Sequence, residues 1–113
     1  MRRQNLAHYL ILGSYSNEGW SAQIKSPQNR IEAIRPVVER LGGSIESGYL
    51  AFGEYDLVIL VQMPDNISMA ALSLAASAGG ALSTLKTVPL LTIDEGLEAL
   101  AKAGGLGYRP PGQ

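Results

Sequence analysis

Asp56 is the first candidate for acid–base chemistry in this sequence. It precedes the apolar run 57–61, so on a strand its side chain would share a face with Val58 and Leu60. Burial on that face would raise the pKa of the Asp56 carboxyl and make it a catalytic base. The alternative, which its place after a turn favours, is a structural carboxylate that caps backbone amides or pairs with an arginine.

His8 is the second candidate and the only histidine of the chain. Histidine is a common acid–base group and metal ligand, so His8 is a weak candidate for an acid–base group or an axial haem ligand. A lone histidine near the start of a strand is more often structural or exposed. Because the chain has one histidine and no cysteine, multi-histidine and thiolate metal sites and cysteine nucleophiles are excluded. We therefore expect no metal and no cofactor.

Aromatic residues are the candidates for ligand binding. Six of the seven aromatics lie in three parts of the chain that one small fold brings together. Rings with a polar edge suit a pocket for a flat, partly polar molecule, although packing in a core or an interface is the alternative for most of them. Lys86 would meet an anionic ligand, or protect an edge strand from unwanted pairing. The predicted ligand-binding residues are Tyr15, Trp20, Tyr49, Phe52, Tyr55 and Lys86, with Tyr15 and Trp20 the strongest because they lie just past a strand end.

Composition narrows the classes of function. A chain of 113 residues usually forms one domain. Nine basic and ten acidic residues give a net charge of -1, which provides no surface for a nucleic-acid backbone. No apolar run is long enough for a membrane span, and no signal core follows the basic start of the chain. We expect a cytoplasmic protein without nucleic-acid or membrane partners.

The elements that must position these residues follow from apolar periodicity and turn residues. Four strands are predicted at 7–15, 44–52, 55–63 and 82–92, and three helices at 27–41, 67–78 and 94–102. Ser26 and Asp65 are the predicted N-caps of the first two helices, and a short helical turn precedes them up to Lys25. Pro36 predicts a bend or break near residues 32–35, because it removes a helix hydrogen bond. Gly53 predicts a two-residue type II′ hairpin.

This order predicts an α+β fold of the ferredoxin-like type, βαββαβ with one C-terminal helix and a four-stranded antiparallel sheet. The first and third strands should be central, because they carry the longest apolar runs, whereas proline marks the fourth strand as an edge. The predicted domain covers residues 7–103. Residues 1–6 form an N-terminal extension, and the glycine- and proline-rich residues 104–113 a flexible tail.

Self-association follows from the two faces of the third strand. Leu57, Ile59 and Val61 point to one face and Val58 and Leu60 to the other, so both faces are apolar. The helices can cover only one face, and a second copy of the chain would cover the other. A homodimer, or a higher oligomer, is therefore expected; the alternative is that exposed apolar side chains are ordinary surface. The alanine-rich helix 67–78, apolar nearly all round, also predicts a second cover, from the last helix or a neighbouring dimer.

Several short motifs, in this order and spacing, resemble the GYD family of the dimeric α/β-barrel superfamily. The resemblance covers about residues 7–103. It rests on Leu41-Gly42-Gly43, Gly53-Glu54-Tyr55-Asp56-Leu57-Val58, Met63-Pro64-Asp65, Gly79-Gly80 and Leu91-Thr92-Ile93-Asp94-Glu95. Residues 81–87 match only loosely the more polar, threonine-bearing stretch of the family, so no function tied to that stretch is implied.

The resemblance implies a ferredoxin-like monomer whose sheet packs on a partner's sheet around a barrel-like interior. The superfamily includes cofactor-free monooxygenases, lactone isomerases, haem enzymes and effector-binding domains, so it transfers a fold and no single activity. The favoured hypothesis is a protein that binds a small molecule, aromatic ones included, in a pocket between the sheet and its dimer partner. The alternatives are a cofactor-independent monooxygenase or isomerase acting on an aromatic or lactone substrate, and a purely structural oligomer.

Overall fold

The computed structural model describes residues 6–112. The predicted N-terminal extension, residues 1–6, lies outside this range except for Leu6. In chain order the elements are β1 (Ala7–Tyr15), α1 (Asn17–Lys25), α2 (Arg30–Arg40), β2 (Ser44–Leu50), β3 (Leu57–Met63), α3 (Asn66–Ala78), β4 (Leu82–Leu90) and α4 (Ile93–Gly104).

The four strands form one antiparallel sheet in the order β2-β3-β1-β4. The predicted α+β, ferredoxin-like fold is therefore confirmed. The strands with the longest apolar runs, β1 and β3, lie in the centre, where Leu10 pairs with Leu60 and Gly13 with Leu57. The proline-containing β4 lies at an edge, where Pro89 pairs with Tyr9 and the missing amide costs least.

The helix before β2 differs from its prediction at both its start and its middle. It begins at Arg30, and its N-cap is Asn29, whose side chain accepts from the backbone amide of Glu32 at 3.1 Å. Ser26 instead ends α1 as its C-cap. The break predicted from Pro36 is absent, since α2 runs through it. Pro36 is exposed, so water can replace the helix hydrogen bond that it removes.

The connection between β2 and β3 also differs from its prediction. It spans residues 51–56 instead of two, and it is closed by a hydrogen bond from the Ala51 amide to the Asp56 carbonyl at 2.7 Å. Gly53 is not among the glycines with positive φ, so the predicted type II′ turn is wrong. The prediction at Asp65 is correct, since its carboxylate accepts from the Ser68 amide at 2.7 Å and caps α3.

The core lies on one face of the sheet, under α2 and α3. Its buried side chains come from alternate positions of the central strands and from the two helices: Tyr9, Ile11, Ile59, Val61, Met63, Val38, Met69 and Leu72. Helix α2 approaches β2 so closely that a Cβ built on Gly48 would lie 2.6 Å from Ile31 Cδ1. The glycine that weakens the pattern of β2 therefore allows α2 to pack on it.

The opposite face of the sheet, the open face, is also apolar. Its central positions are Leu10, Leu12, Val58, Leu60 and Val88, which the pairing of β3, β1 and β4 brings side by side. None of them is fully buried, because the helices that form the core pack on the other face. Within the described chain the open face thus has no covering layer.

Helix α4 projects from the end of β4 without burying any residue. A capping box starts it: the Thr92 side chain accepts from the Glu95 amide at 3.1 Å, and the Glu95 carboxylate accepts from the Thr92 amide at 2.8 Å. Its apolar residues Ile93, Leu97 and Leu100 are all exposed. It does not cover α3, whose Ile67 and Leu74 are exposed too.

No helix in residues 6–112 is long and apolar enough to cross a membrane.

Candidate functional site

An apolar pocket of about 250 Å³ lies between α2, α3 and the core face of the sheet. Its walls are formed mainly by Ile11, Ile34, Ile59, Met69, Leu72 and Leu85. Small residues make the space: Ala75 and Ala76 of α3 and Gly13 of β1 line it where larger side chains would fill it. Alanine and glycine thus leave a cavity in a layer that leucines would have closed.

The apolar pocket has two polar side chains in its lining, Arg30 and Ser73. The Ser73 hydroxyl is already hydrogen-bonded to the Thr87 hydroxyl at 2.9 Å. Among the described residues that line the pocket there is no aspartate, glutamate or histidine. The site therefore has the chemistry of a binding pocket with one cation at its edge.

A second, polar pocket of about 440 Å³ adjoins the first at the segment between α1 and α2. It is lined by Tyr15, Gln28, Arg30, Arg35, Gly48 and Leu57, among others. Arg30 and Leu57 line both pockets, so the two cavities are neighbours across the start of α2. Helix α2 positions Arg30 there because Asn29 fixes its first turn.

Tyr15 and Trp20, the strongest predicted ligand residues, lie against each other. Their ring centroids are 4.8 Å apart at an interplanar angle of 57°. Tyr15 is only 7% exposed, and its hydroxyl has no hydrogen-bond partner in the described chain. Burial raises the pKa of the Tyr15 hydroxyl above its ordinary value, against the opposing effect of the Arg30 guanidinium. A neutral hydroxyl at this place is a hydrogen-bond donor without an acceptor.

Asp56 lies at the junction of β1 and β3. Its Oδ2 accepts a hydrogen bond from the Tyr15 amide at 2.9 Å, and its own amide donates to the Gly13 carbonyl at 2.8 Å. The residue is 9% exposed and does not line the apolar pocket. Within the single chain, the Asp56 carboxylate thus accepts from the Tyr15 amide and holds the end of β1 in place.

His8 and Lys86 lie on the open face, away from the two pockets. His8 Nδ1 is 2.8 Å from Glu46 Oε1, with both side chains partly exposed. The Lys86 ammonium lies 5.5 Å from the centroid of the Tyr55 ring, a cation–π contact. The open face therefore carries a polar pair at the His8 end and an aromatic–cation pair at the Lys86 end.

The predicted ligand residues consequently do not form one cluster. Tyr15 and Trp20 belong to the helix side of the sheet, while Tyr55 and Lys86 pair on the other side. Tyr49 lines the polar pocket but is largely exposed, and Phe52 is 98% exposed in the β2–β3 connection.

Arg30 is the polar residue of the site that the sequence did not indicate. Arg35, on the same helix, forms an ion pair with an acid: the Arg35 Nη2 lies 2.8 Å from Glu32 Oε2. The Arg35 side chain accordingly lowers the pKa of Glu32 through its hydrogen bonds. For Arg30 the described residues provide only the neutral Gln28 side chain, at 3.5 Å. The Glu32–Arg35 pair has the i,i+3 spacing of a helix and can be predicted from the sequence, whereas the absence of an acid beside Arg30 follows only from the fold.

Comparison with known proteins gives one match. A family model described as GYD domain matches residues 9–100. No curated protein and no solved structure matches the chain.

Proposed function

The chain belongs to the GYD domain family, and on that premise we propose that it is a small-molecule-binding protein whose site is the apolar pocket between α2, α3 and the sheet. The observation that carries the proposal is the lining of that pocket, which is apolar apart from Arg30 and Ser73. Concave apolar cavities with few polar groups are the usual form of ligand sites.

The size of the pocket limits the ligand. An engineered apolar cavity of about 150 Å³ binds benzene, and this pocket measures about 250 Å³. One ring with a short aliphatic chain therefore fits. Met69 supports the assignment, because its flexible thioether adapts to ligands of different shape.

The lining favours binding over catalysis. A cofactor-independent monooxygenase or isomerase needs a base beside the substrate. The described residues around the apolar pocket supply none, since Asp56 binds the Tyr15 amide and His8 lies on the open face. Binding is thus the function with the better support.

A homodimer through the open face is part of the proposal. The apolar side chains Leu10, Leu12, Val58 and Leu60 support it, because such a surface in water favours association. The pocket predicted between the sheet and a partner stays a prediction. The pocket of the single chain lies on the other face, so ligand binding there does not require the partner.

Propylbenzene titrated against the protein tests the binding site. We expect it to shift the methyl NMR signals of Met69 and Leu72 and to leave those of Leu100 on α4 unchanged. Ala76→Phe fills the pocket and should weaken binding by about tenfold or more, which corresponds to about 1.4 kcal/mol. Ala70→Phe is the matched control, because Ala70 is on the exposed side of the same helix.

Two results would refute this function. One is the absence of any methyl shift in the wild type up to the solubility limit of propylbenzene. The other is equal affinity in the Ala76→Phe and Ala70→Phe variants.

A further inference from the structure

Two tyrosines on the core face of β1 differ in one respect. Tyr9 and Tyr15 are 3% and 7% exposed. The Tyr9 hydroxyl donates a hydrogen bond to the Asn66 side chain, whereas the Tyr15 hydroxyl has no partner among residues 6–112. A buried polar group without a partner is uncommon and costs free energy, so an absent ligand or a water is expected to bind it.

Two arginines beside this tyrosine differ in the same way. Arg30 and Arg35 both line the polar pocket. Arg35 is paired with Glu32 at 2.8 Å, but no carboxylate of the described chain lies within salt-bridge distance of Arg30. Arg30 is only partly exposed, so its charge is less screened than that of a surface arginine.

The polar pocket is thus lined by an arginine that no carboxylate of the described chain pairs with, and by a tyrosine whose buried hydroxyl has no partner there. The charge of Arg30 opposes the rise in the pKa of the Tyr15 hydroxyl, in keeping with the place of both residues in one pocket. Arg30 and Leu57 also line the apolar pocket, so the two pockets meet at these residues. A molecule with an apolar body and one acceptor group at its end would match both pockets.

We propose that the ligand of this protein is a small apolar carboxylic acid, whose carboxylate binds Arg30 and the Tyr15 hydroxyl while its hydrocarbon part fills the apolar pocket. This inference rests on the function proposed above and adds the chemical class of the ligand. A carboxylate fits because guanidinium binds it with two parallel hydrogen bonds and a neutral phenol donates a third. The single charge of Arg30 matches the single negative charge of a monocarboxylic acid.

The test compares 4-phenylbutyrate with its uncharged amide. Both carry the same ring and chain, so both should enter the apolar pocket and shift the Met69 methyl signal. A hydrogen bond to a charged group adds stability that corresponds to roughly tenfold to a hundredfold in affinity. We therefore expect the acid to bind at least about tenfold more tightly than the amide.

Variants assign that preference to the two residues. Arg30→Gln should reduce the preference for the acid by about tenfold and leave the affinity of the amide unchanged. The double variant Glu32→Gln/Arg35→Gln is the matched control, since it removes from the same pocket a cation together with the acid that pairs with it. Tyr15→Phe should weaken only the acid, by about threefold to tenfold. The melting temperature of free Tyr15→Phe should not fall, because the variant loses an unpaired hydroxyl.

Each possible result decides the inference. If acid and amide bind equally at Met69, the proposed function stands and the carboxylate inference fails. If neither binds, both fail. If Arg30→Gln leaves the preference undiminished, or the Glu32→Gln/Arg35→Gln variant abolishes it, the assignment to Arg30 is wrong. An acid preference that Tyr15→Phe leaves unchanged, with a lowered melting temperature, means that a water satisfies this hydroxyl and refutes its part in binding.

Discussion

The two faces of the sheet are built from the same strands and differ in what covers them. On the core face, Ile59, Val61 and Met63 alternate with the open-face residues Val58 and Leu60, and both sets are apolar. The first set is buried under α2 and α3, while the second is only half-buried. Strand sequence alone therefore does not tell which face becomes the core, because that depends on which face the helices reach.

The covered face is itself not uniform. Near the end of β3 the layer is filled, since Val61 and Met63 of this strand and Val38 of α2 are fully buried. Towards the other end of α3, Ala75 and Ala76 leave the apolar pocket. Val38, Val61 and Met63 belong to the core and do not line the pocket, so we expect substitutions there to change stability without removing a wall of the binding site.

The largest expected effect is on folding. Met63→Ala removes a fully buried side chain from the covered face and should lower the free energy of unfolding by about 2–5 kcal/mol. Leu60→Ala, on the open face, should lower the free energy of unfolding by less than about 1 kcal/mol in dilute protein. Urea unfolding measures both. Equal losses would mean that the open face is part of the core.

The next effect is on association. Light scattering should give the wild type twice the chain mass at micromolar concentration, because the open face needs a partner. Leu60→Asp would bury an unpaired carboxylate there and should weaken the dimer by about a hundredfold or more. Ile67→Asp, on the exposed side of α3, is the control that should leave the mass unchanged. A monomeric wild type refutes the dimer, and a dimeric Leu60→Asp variant refutes the interface.

The smallest effect concerns the junction of the two central strands. Asp56→Asn removes the charge from the hydrogen bond to the Tyr15 amide and should lower the free energy of unfolding by roughly 1–3 kcal/mol. Ligand affinity in the apolar pocket should change little, because Asp56 does not line it. Thermal melts check the first statement. Unchanged stability would contradict the structural interpretation of Asp56 and support the catalytic one.

Sequence pattern predicts the fold well wherever a local signal decides the structure. The apolar runs of β1 and β3 fixed their central position, and Asp65 marked the start of α3. The pattern failed at Ser26 because Asn29, three residues on, is an equally good cap. It failed at Gly53 because glycine permits a type II′ turn without requiring one.

The candidate site was less predictable. Tyr15 and Trp20 are predicted from their place at a strand end, and the structure brings their rings together, but of the two only Tyr15 lines one of the two pockets. The pocket itself arises from small residues on α3, and alanines are common in any helix. Arg30 matters because no acid of the described chain pairs with it, which only the three-dimensional arrangement can show.

The exposure of helix α4 affects the rate at which its amide hydrogens exchange with solvent. It is 12 residues long and buries none of them, a length at which an isolated helix is only marginally stable in water. Its amide hydrogens should therefore exchange with deuterated solvent almost as fast as those of an unfolded peptide, while the amides of β1 and β3 exchange slowly. Any surface that covers Ile93, Leu97 and Leu100 must slow that exchange. Deuterium uptake in residues 93–104 is thus a built-in reporter of any partner that binds to α4.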